Sequence, residues 1–354
     1  MKKMNLNVIT TRVTSLLFLI LVYSACTKEI VGPDLSKEKV YIAGYEQAAN
    51  GNYVAMCWED GVATALTDSV NNAGGNSLFV SNGDVYVAGF EYAVNGKSVA
   101  KYWKNGVPTA LGDSSNSSTA TSIYVDGNDV YVTGNEDVLN GKYITRYWKN
   151  GKAINITDGS THASVNSIYV SGSDVFIAGA ESPSQFDSKA KYWKNGEEFE
   201  LSGDSVEAVA FSIFLYKNDT YVAGHVINYK QNKESVATYW HNGVATALTN
   251  AIHGAEATSI CVSNGNVFVA GHEFDNNNAA IAKYWKNGTV TTLSDNAHHT
   301  RTQVFQYLVI MYLYQVTSTT KRTLMEYQKR CTGRMELVIH LPMVHAWLWP
   351  LLLL

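Results

Sequence analysis

The sequence predicts an all-β fold in which one four-stranded antiparallel unit recurs six times, and three observations predict it. Trp58, Trp103, Trp148, Trp193, Trp240 and Trp285 follow one another at intervals of 45, 45, 45, 47 and 45 residues. Gly44, Gly89, Gly134, Gly179, Gly224 and Gly271 keep step with them. Between these markers the chain repeats Val-Tyr-Val-Ala-Gly-x-Glu, a turn, Lys-Tyr-Trp-Lys-Asn-Gly, a leucine, a polar stretch and Ser-Ile-Tyr-Val.

Residues 120–157 show the unit element by element. Ala120 to Val125 alternates and is rich in β-branched and aromatic residues, so it reads as a strand, and residues 126–129 (Asp-Gly-Asn-Asp) turn it. Val130 to Gly134 is nearly all apolar, as a strand buried on both faces should be. Asn140-Gly141 is a two-residue hairpin signal. Lys142 to Trp148 is the third strand, residues 149–151 (Lys-Asn-Gly) turn it, and Lys152 to Ile156 is a short fourth. No apolar periodic run within residues 40–295 suggests a helix.

A sheet that is apolar on both faces is not stable alone. Stacked radially, each sheet covers the next, which is the logic of a β-propeller. Each Trp then wedges between neighbouring blades, and each marker Gly allows a close backbone approach. A linear solenoid has shorter rungs, without three hairpins in each. Over about residues 38–295 the units resemble the Asn-Val-Tyr-Val-Ala-Gly repeats of bacterial, Bacteroidetes-type secreted and lipoprotein β-propellers of uncharacterised function, a resemblance that implies architecture only. The series opens at Val40, on the second strand of a blade, so the first strand of that blade must come from the other end of the chain.

Residues 1–25 read as a signal segment: Lys2, Lys3 and Arg12 precede an apolar run from Val13 to Val22 that is too short to span a bilayer. Residues 24–26 (Ser-Ala-Cys) resemble a bacterial lipobox, which implies lipidation at Cys26, and the following Thr27-Lys28-Glu29 resembles the export tag of Bacteroidetes surface lipoproteins. Cleaved secretion and an uncleaved anchor are the alternatives. Residues 26–37 form a tether and 38–300 the repeats. The expected location is a bacterial outer membrane or cell surface, otherwise the periplasm or medium, with membrane contact through a lipid alone. A formal charge of −4 with 16% charged residues makes nucleic acid a poor partner. Cys57 and Cys261 each replace a repeat tyrosine and do not make a disulfide framework.

After about Thr300 the pattern stops where a seventh unit is due. Tyr-Trp-Lys-Asn-Gly read one base late gives Thr or Ile, Gly, Lys or Arg, Thr or Met, then a residue with a G-initial codon. Residues 332–336 are Thr-Gly-Arg-Met-Glu, and the hidden Trp falls 47 residues after Trp285. Val309 to Val316 decodes likewise as Gly-Asn-Asn-Val-Phe-Ile-Ser-Gly, with a glycine about 45 residues after Gly271. Residues 301–354 are therefore expected to be a frameshifted tail in place of a seventh repeat, and the intact parent is expected to have seven blades. A genuine C-terminal segment or short membrane anchor is the alternative.

The connections between second and third strands, and between fourth and next first strands, share one face, and that face varies between units. Binding residues ride on variable loops held by a rigid frame, so Tyr92, Phe186, Tyr229 and Phe274 are the candidates for contact with a glycan or a protein. Drift without function is the plain alternative. Glu46, Glu91, Glu136, Glu181 and Glu273 recur two residues after the marker Gly, but Val226 stands in the fifth unit, where Thr238 and His241 also break a run of Lys and Arg. Joint loss of both signs indicates a cross-strand ion pair in each blade rather than a ring of catalytic carboxylates, which would need one differentiated pair. Asp68, Asp113, Asp158, Asp204 and Asp295 follow the fourth strands, with His162, His253, His298 and His299 near some of them, and read as turn formers rather than metal ligands. No phosphate loop, zinc spacing or Ser/His/Asp set is found, so no cofactor, no metal and no enzymatic activity is expected. A binding or scaffold propeller is the expected function, with a polysaccharide-acting propeller enzyme or a non-functional product as alternatives.

Overall fold

In the computed structural model the described residues are 39–138, 142–182, 188–203, 206–228, 234–293 and 335–338. They form six four-stranded antiparallel sheets, and no helix occurs among them. Cys26, the tether and most of the tail lie outside the described residues, as do Phe186 and Tyr229.

The second to sixth blades run in sequence over residues 73–110, 118–155, 162–200, 207–247 and 255–292. In the first blade, Tyr41–Gln47, Tyr53–Glu59 and Val62–Ala65 take the second to fourth places, and Met335–Val338 pairs with Tyr41–Gln47 in the first. A strand from the far end of the chain therefore completes the opening blade, as the sequence requires. Boundaries differ in detail: the strand expected over 130–134 runs from Asp129 to Val138.

The tryptophans do what their spacing suggests. Trp103 lies among Tyr41, Ala43 and Cys57 of the first blade and Leu78 and Val87 of its own. Trp148, Trp193, Trp240 and Trp285 repeat this at the next four junctions. Trp103, Trp148, Trp240 and Trp285 are each 1% exposed, so the core is a set of seals between sheets rather than one central mass. The marker glycines have an equally specific reason: a Cβ on Gly89, Gly134, Gly179, Gly224 or Gly271 would lie 1.9–2.1 Å from a carbonyl oxygen of the blade's own first strand.

One device escaped the sequence reading. The first strand of each blade from the second to the sixth carries a β-bulge, between Gly75 and Ser77, Ala120 and Ser122, Val165 and Ser167, Ala210 and Ser212, and Ala257 and Ser259. The serine after the bulge then works between blades. Ser77 Oγ accepts the Ile123 N–H, Ser122 that of Ile168, and Ser167 that of Ile213, each at 3.3 Å, while Ser212 accepts that of Ile260 at 3.4 Å. Asn76 and Asn166 add bonds from Nδ2 to the Ala120 and Ala210 carbonyls, both at 2.8 Å.

Candidate functional site

The two faces of the blade stack are built differently. On one, each Lys-Asn-Gly turn places Asn and Gly at positive φ, as Asn105 at 49° and Gly106 at 81°, which is the tight hairpin form. Asn105 Nδ2 donates to Asp84 Oδ1 at 2.8 Å, and Asn150, Asn195 and Asn242 do the same to Asp129, Asp174 and Asp219. Lys104, Lys149 and Lys194 pair with the same aspartates, and His241 stands in for the lysine against Asp219 at 3.2 Å. These partners hold the carboxyls of Asp84, Asp129, Asp174 and Asp219 below their ordinary range, first through the side-chain bond from Lys or, at Asp219, from Asn242. Its uniformity is that of a self-satisfied hydrogen-bonded edge.

The opposite face carries the variable loops. Asn95 Nδ2 donates to the Ser114 carbonyl at 3.0 Å and Lys97 to that of Ser115, so the second-to-third turn and the next inter-blade connection lie together there. Tyr92 is 39% exposed at this edge, with its ring edge-on to Phe90 at 5.8 Å. Phe274 is half-buried, edge-on to His272 at 4.9 Å, and opens a loop folded around Asp275, whose Oδ1 accepts the Asn277 and Ala279 amides. Tyr92 and Phe274 belong to different blades and are not brought into one cluster.

The recurring charges behave as the joint loss implied. Glu91 pairs with Lys101, Glu136 with Arg146 at 3.2 Å, Glu181 with Lys191 at 2.7 Å, and Glu273 with Lys283. In each pair the cation stands opposite the marker Gly. Thr238 stands opposite Gly224 in the fifth blade, and Met56 stands opposite Gly44 in the first. The aspartates after the fourth strands cap turns: Asp68, Asp113 and Asp158 accept the N–H two residues on, and Asn250 does so in the fifth blade. Asp204 and Asp295 lie outside the described residues.

The repeat symmetry breaks most sharply where the fifth and sixth blades meet, a cluster the sequence reading missed. His225 and His272 follow the marker glycines, at the position held by Tyr45, Phe90, Asn135 and Ala180 in the other blades. Glu256 stands opposite His272 across the sixth blade and reaches back to the fifth, with Oε1 3.6 Å from His225 Nδ1. Phe211, the bulge residue of the fifth blade, lies 5.4 Å from the His225 ring. Burial lowers His225, against an opposing pull from Glu207, and burial with His225 as neighbour lowers His272 to about 4. Burial raises the Glu256 carboxyl. Since desolvation disfavours charge on both partners, the 3.6 Å contact is that of a neutral imidazole at pH 7 rather than an ion pair.

No group of three or more His, Cys, Asp or Glu able to hold a metal occurs among the described residues. Between the third and fourth blades, Tyr147, Ile156, Val175 and Trp193 line a cleft of 70 Å³. Small-molecule sites need roughly 300 Å³ or more, so that cleft is too small for one.

No family model matches the chain, and no curated protein matches it in sequence. Solved structures match in fold. The β-propeller domain of the Trilobed protease from Pyrococcus furiosus, which has an open velcro topology, is 9% identical with a TM-score of 0.49 over 76% of this chain and 83% of that one. A prolyl endopeptidase is 11% identical with a TM-score of 0.46, the match covering 73% of this chain and 43% of the endopeptidase. A puromycin-hydrolyzing peptidase from Mycobacterium tuberculosis is 10% identical with a TM-score of 0.46, over 72% of this chain and 52% of that one. The chain thus spans less than two thirds of either peptidase. Likeness at this level shows the fold alone. It also corrects one expectation: the lack of a phosphate loop, zinc spacing or Ser/His/Asp set led to the expectation of no enzymatic activity, yet the solved structures that match in fold include peptidases, so that expectation does not stand. The chain is an all-β protein with the fold of a β-propeller.

Proposed function

We propose that this chain is a recognition propeller of a bacterial outer membrane or cell surface, tethered by a lipid on Cys26, whose variable-loop face binds a glycan or a protein. One observation carries the reading: the loops that differ between blades lie on that face, with Tyr92 and the Phe274 loop at its edge, while the other face repeats an Asp–Asn bracket in four blades. A frame satisfied by its own contacts leaves the loop edge as the place where binding groups can differ between blades. Tyr92 and Phe274 supply aromatic surface with little rotamer entropy to lose.

The test is a glycan array and a pull-down with the protein carrying Cys26→Ser for solubility. Phe274→Ala or Tyr92→Ala should weaken the captured interaction at least tenfold, while Lys149→Ala on the opposite face should leave it unchanged. Binding indifferent to both aromatic changes, or lost with Lys149→Ala alone, refutes the assignment of the face. Radiolabelled palmitate on the wild type, absent from Cys26→Ser, checks the tether.

A further inference from the structure

We propose that Asn82 and Asn264 are sites of spontaneous modification, at which the nitrogen of the following glycine displaces ammonia from the side chain, and that the other described Asn-Gly pairs are guarded against this by hydrogen bonds. The chain holds ten Asn-Gly pairs, and all but Asn140-Gly141 lie among the described residues. Glycine has no side chain to shield its nitrogen, so sequence alone makes every pair equally open to the reaction.

The structure separates them. Seven pairs form the tips of two-residue hairpins. Asn105, Asn150, Asn195, Asn242 and Asn287 join third to fourth strands, and Asn82 and Asn264 join first to second strands. All seven asparagines are exposed, their φ angles lie within 49–53°, and those of the following glycines within 75–88°. Neither solvent access nor backbone form distinguishes one from another. The side chains do. In the five third-to-fourth turns, Oδ1 accepts a second-strand N–H, as Asn105 does from Val85, at 2.8–2.9 Å. Nδ2 donates to the side chain that opens the same strand, as Asn105 does to Asp84, again at 2.8–2.9 Å. Asn50 and Asn95, on the opposite face, are engaged as well: Nδ2 donates to the Ser69 and Ser114 carbonyls, and Oδ1 accepts the N–H two residues on. Asn82 and Asn264 make no side-chain hydrogen bond among the described residues; Asn264 accepts only through its main-chain carbonyl, from Asn266 at 3.4 Å.

Ring closure requires the asparagine Cγ to swing onto the next main-chain nitrogen. That nitrogen bonds to Cγ, the Cγ–Nδ2 bond breaks, and Nδ2 leaves as ammonia with the proton of the glycine N–H. Water then opens the cyclic imide at either carbonyl and leaves aspartate or isoaspartate. A bracketed amide must first surrender two hydrogen bonds, whereas Asn82 and Asn264 surrender none. Isoaspartate adds a carbon to the main chain, so it breaks the two-residue form of the hairpin it enters. The third, fourth and fifth blades place Gly127-Asn128, Gly172-Ser173 and Lys217-Asn218 at the same turn, and the reaction at this turn is therefore confined to the second and sixth blades among those described.

Peptide mapping by mass spectrometry tests this on the full chain, incubated at mildly alkaline pH in water labelled with heavy oxygen, so that only conversion during the incubation carries the label. Asn82 and Asn264 should each convert at least about tenfold faster than Asn105, Asn150 or Asn195, the factor that two ordinary hydrogen bonds supply. Asp129→Ala removes one of the two partners of Asn150. It should speed conversion of Asn150 severalfold while Asn105 keeps its rate. Bracketed asparagines that convert as fast as Asn82 and Asn264, or an Asn150 indifferent to Asp129→Ala, overturn the inference.

Discussion

Gly179→Ala puts the close approach inside the blade to a quantitative test. A Cβ on Gly179 would lie 2.0 Å from the Ser164 carbonyl oxygen, and 3.0 Å from the Ser164 carbonyl carbon and Val165 Cα. Ordinary contact begins at 3.4 Å, so the first and second strands must part by about 1.4 Å. All three atoms are backbone, and no rotamer can relieve the clash. The bulge between Val165 and Ser167 begins at this point, and the strand that must move also holds the Ser167 bond to Ile213. Overpacking of a fixed interior costs roughly 1–3 kcal/mol, and a backbone clash belongs at the upper end, about 3 kcal/mol. Gly203→Ala is the control, because nothing lies within 4 Å of its Cβ and its backbone is outside the left-handed region. There the stiffer unfolded chain should give a gain of about 0.5 kcal/mol. Urea unfolding followed by tryptophan fluorescence reads the junctions directly. With a slope of about 3 kcal/mol/M, Gly179→Ala should unfold about 1 M earlier than the wild type. A midpoint matching that of Gly203→Ala would refute the steric account of the recurring glycine.

Ser167→Ala should leave the Ile213 N–H without its inter-blade acceptor and cost about 1–3 kcal/mol; unchanged exchange protection of the Ile213 amide would show the bond to be dispensable. His272 sits at about 4 in the fold against an ordinary 6.5, so the unfolded chain takes up a proton that the fold resists. Stability should therefore fall as pH drops from about 6.5 towards 4, by about 2 kcal/mol at pH 5 relative to pH 7. His272→Phe, which copies Phe90 of the second blade, should remove that part of the slope, and equal slopes in the two proteins would contradict it. Lys191→Thr alone leaves half-buried Glu181 without its cation and with only the Thr161 hydroxyl as a side-chain donor, whereas Lys191→Thr with Glu181→Val copies the fifth blade's Thr238 and Val226. The double change should be the more stable by about 1 kcal/mol; strict additivity in a double-mutant cycle would refute the pairing.

Much of the frame was legible because its causes are local or periodic. The tryptophan spacing gave the wedges, the glycine beside each gave the close approach, and the fifth blade's exchange of Glu and Lys for Val226 and Thr238 exposed the ion pair through its loss. The bulge was legible in principle. In the first strands the buried apolar residues step by two, then three, then two, as Ala163, Val165, Ile168 and Val170 do, and a strict two-residue alternation cannot give that step. The serine bonds were not legible, since Ser167 and Ile213 are 46 residues apart and meet only once the blades are stacked. The His225–Glu256 contact was hidden for the same reason: each residue looks like a single exchange within its own unit, and their proximity belongs to the junction.

That separation of causes explains how one repeat can keep its architecture and still differentiate a surface. The seals between blades depend on the tryptophan, the small residues it covers and the serine bond. The residue after the marker glycine takes no part in the tryptophan seal, which is why Tyr45, Phe90, Asn135, Ala180, His225 and His272 can all occupy that position. Its side chain reaches towards the first strand of the next blade: Asn135 Oδ1 accepts the Val165 N–H, and His225 meets Glu256. Each junction therefore has a fixed wedge and an adjustable pair near the loop edge. Two histidines and a carboxylate in that adjustable layer change its chemistry without touching the wedge. A burial-lowered imidazole beside a burial-raised carboxyl is tolerated there because Trp285 and its neighbours already hold the two blades together.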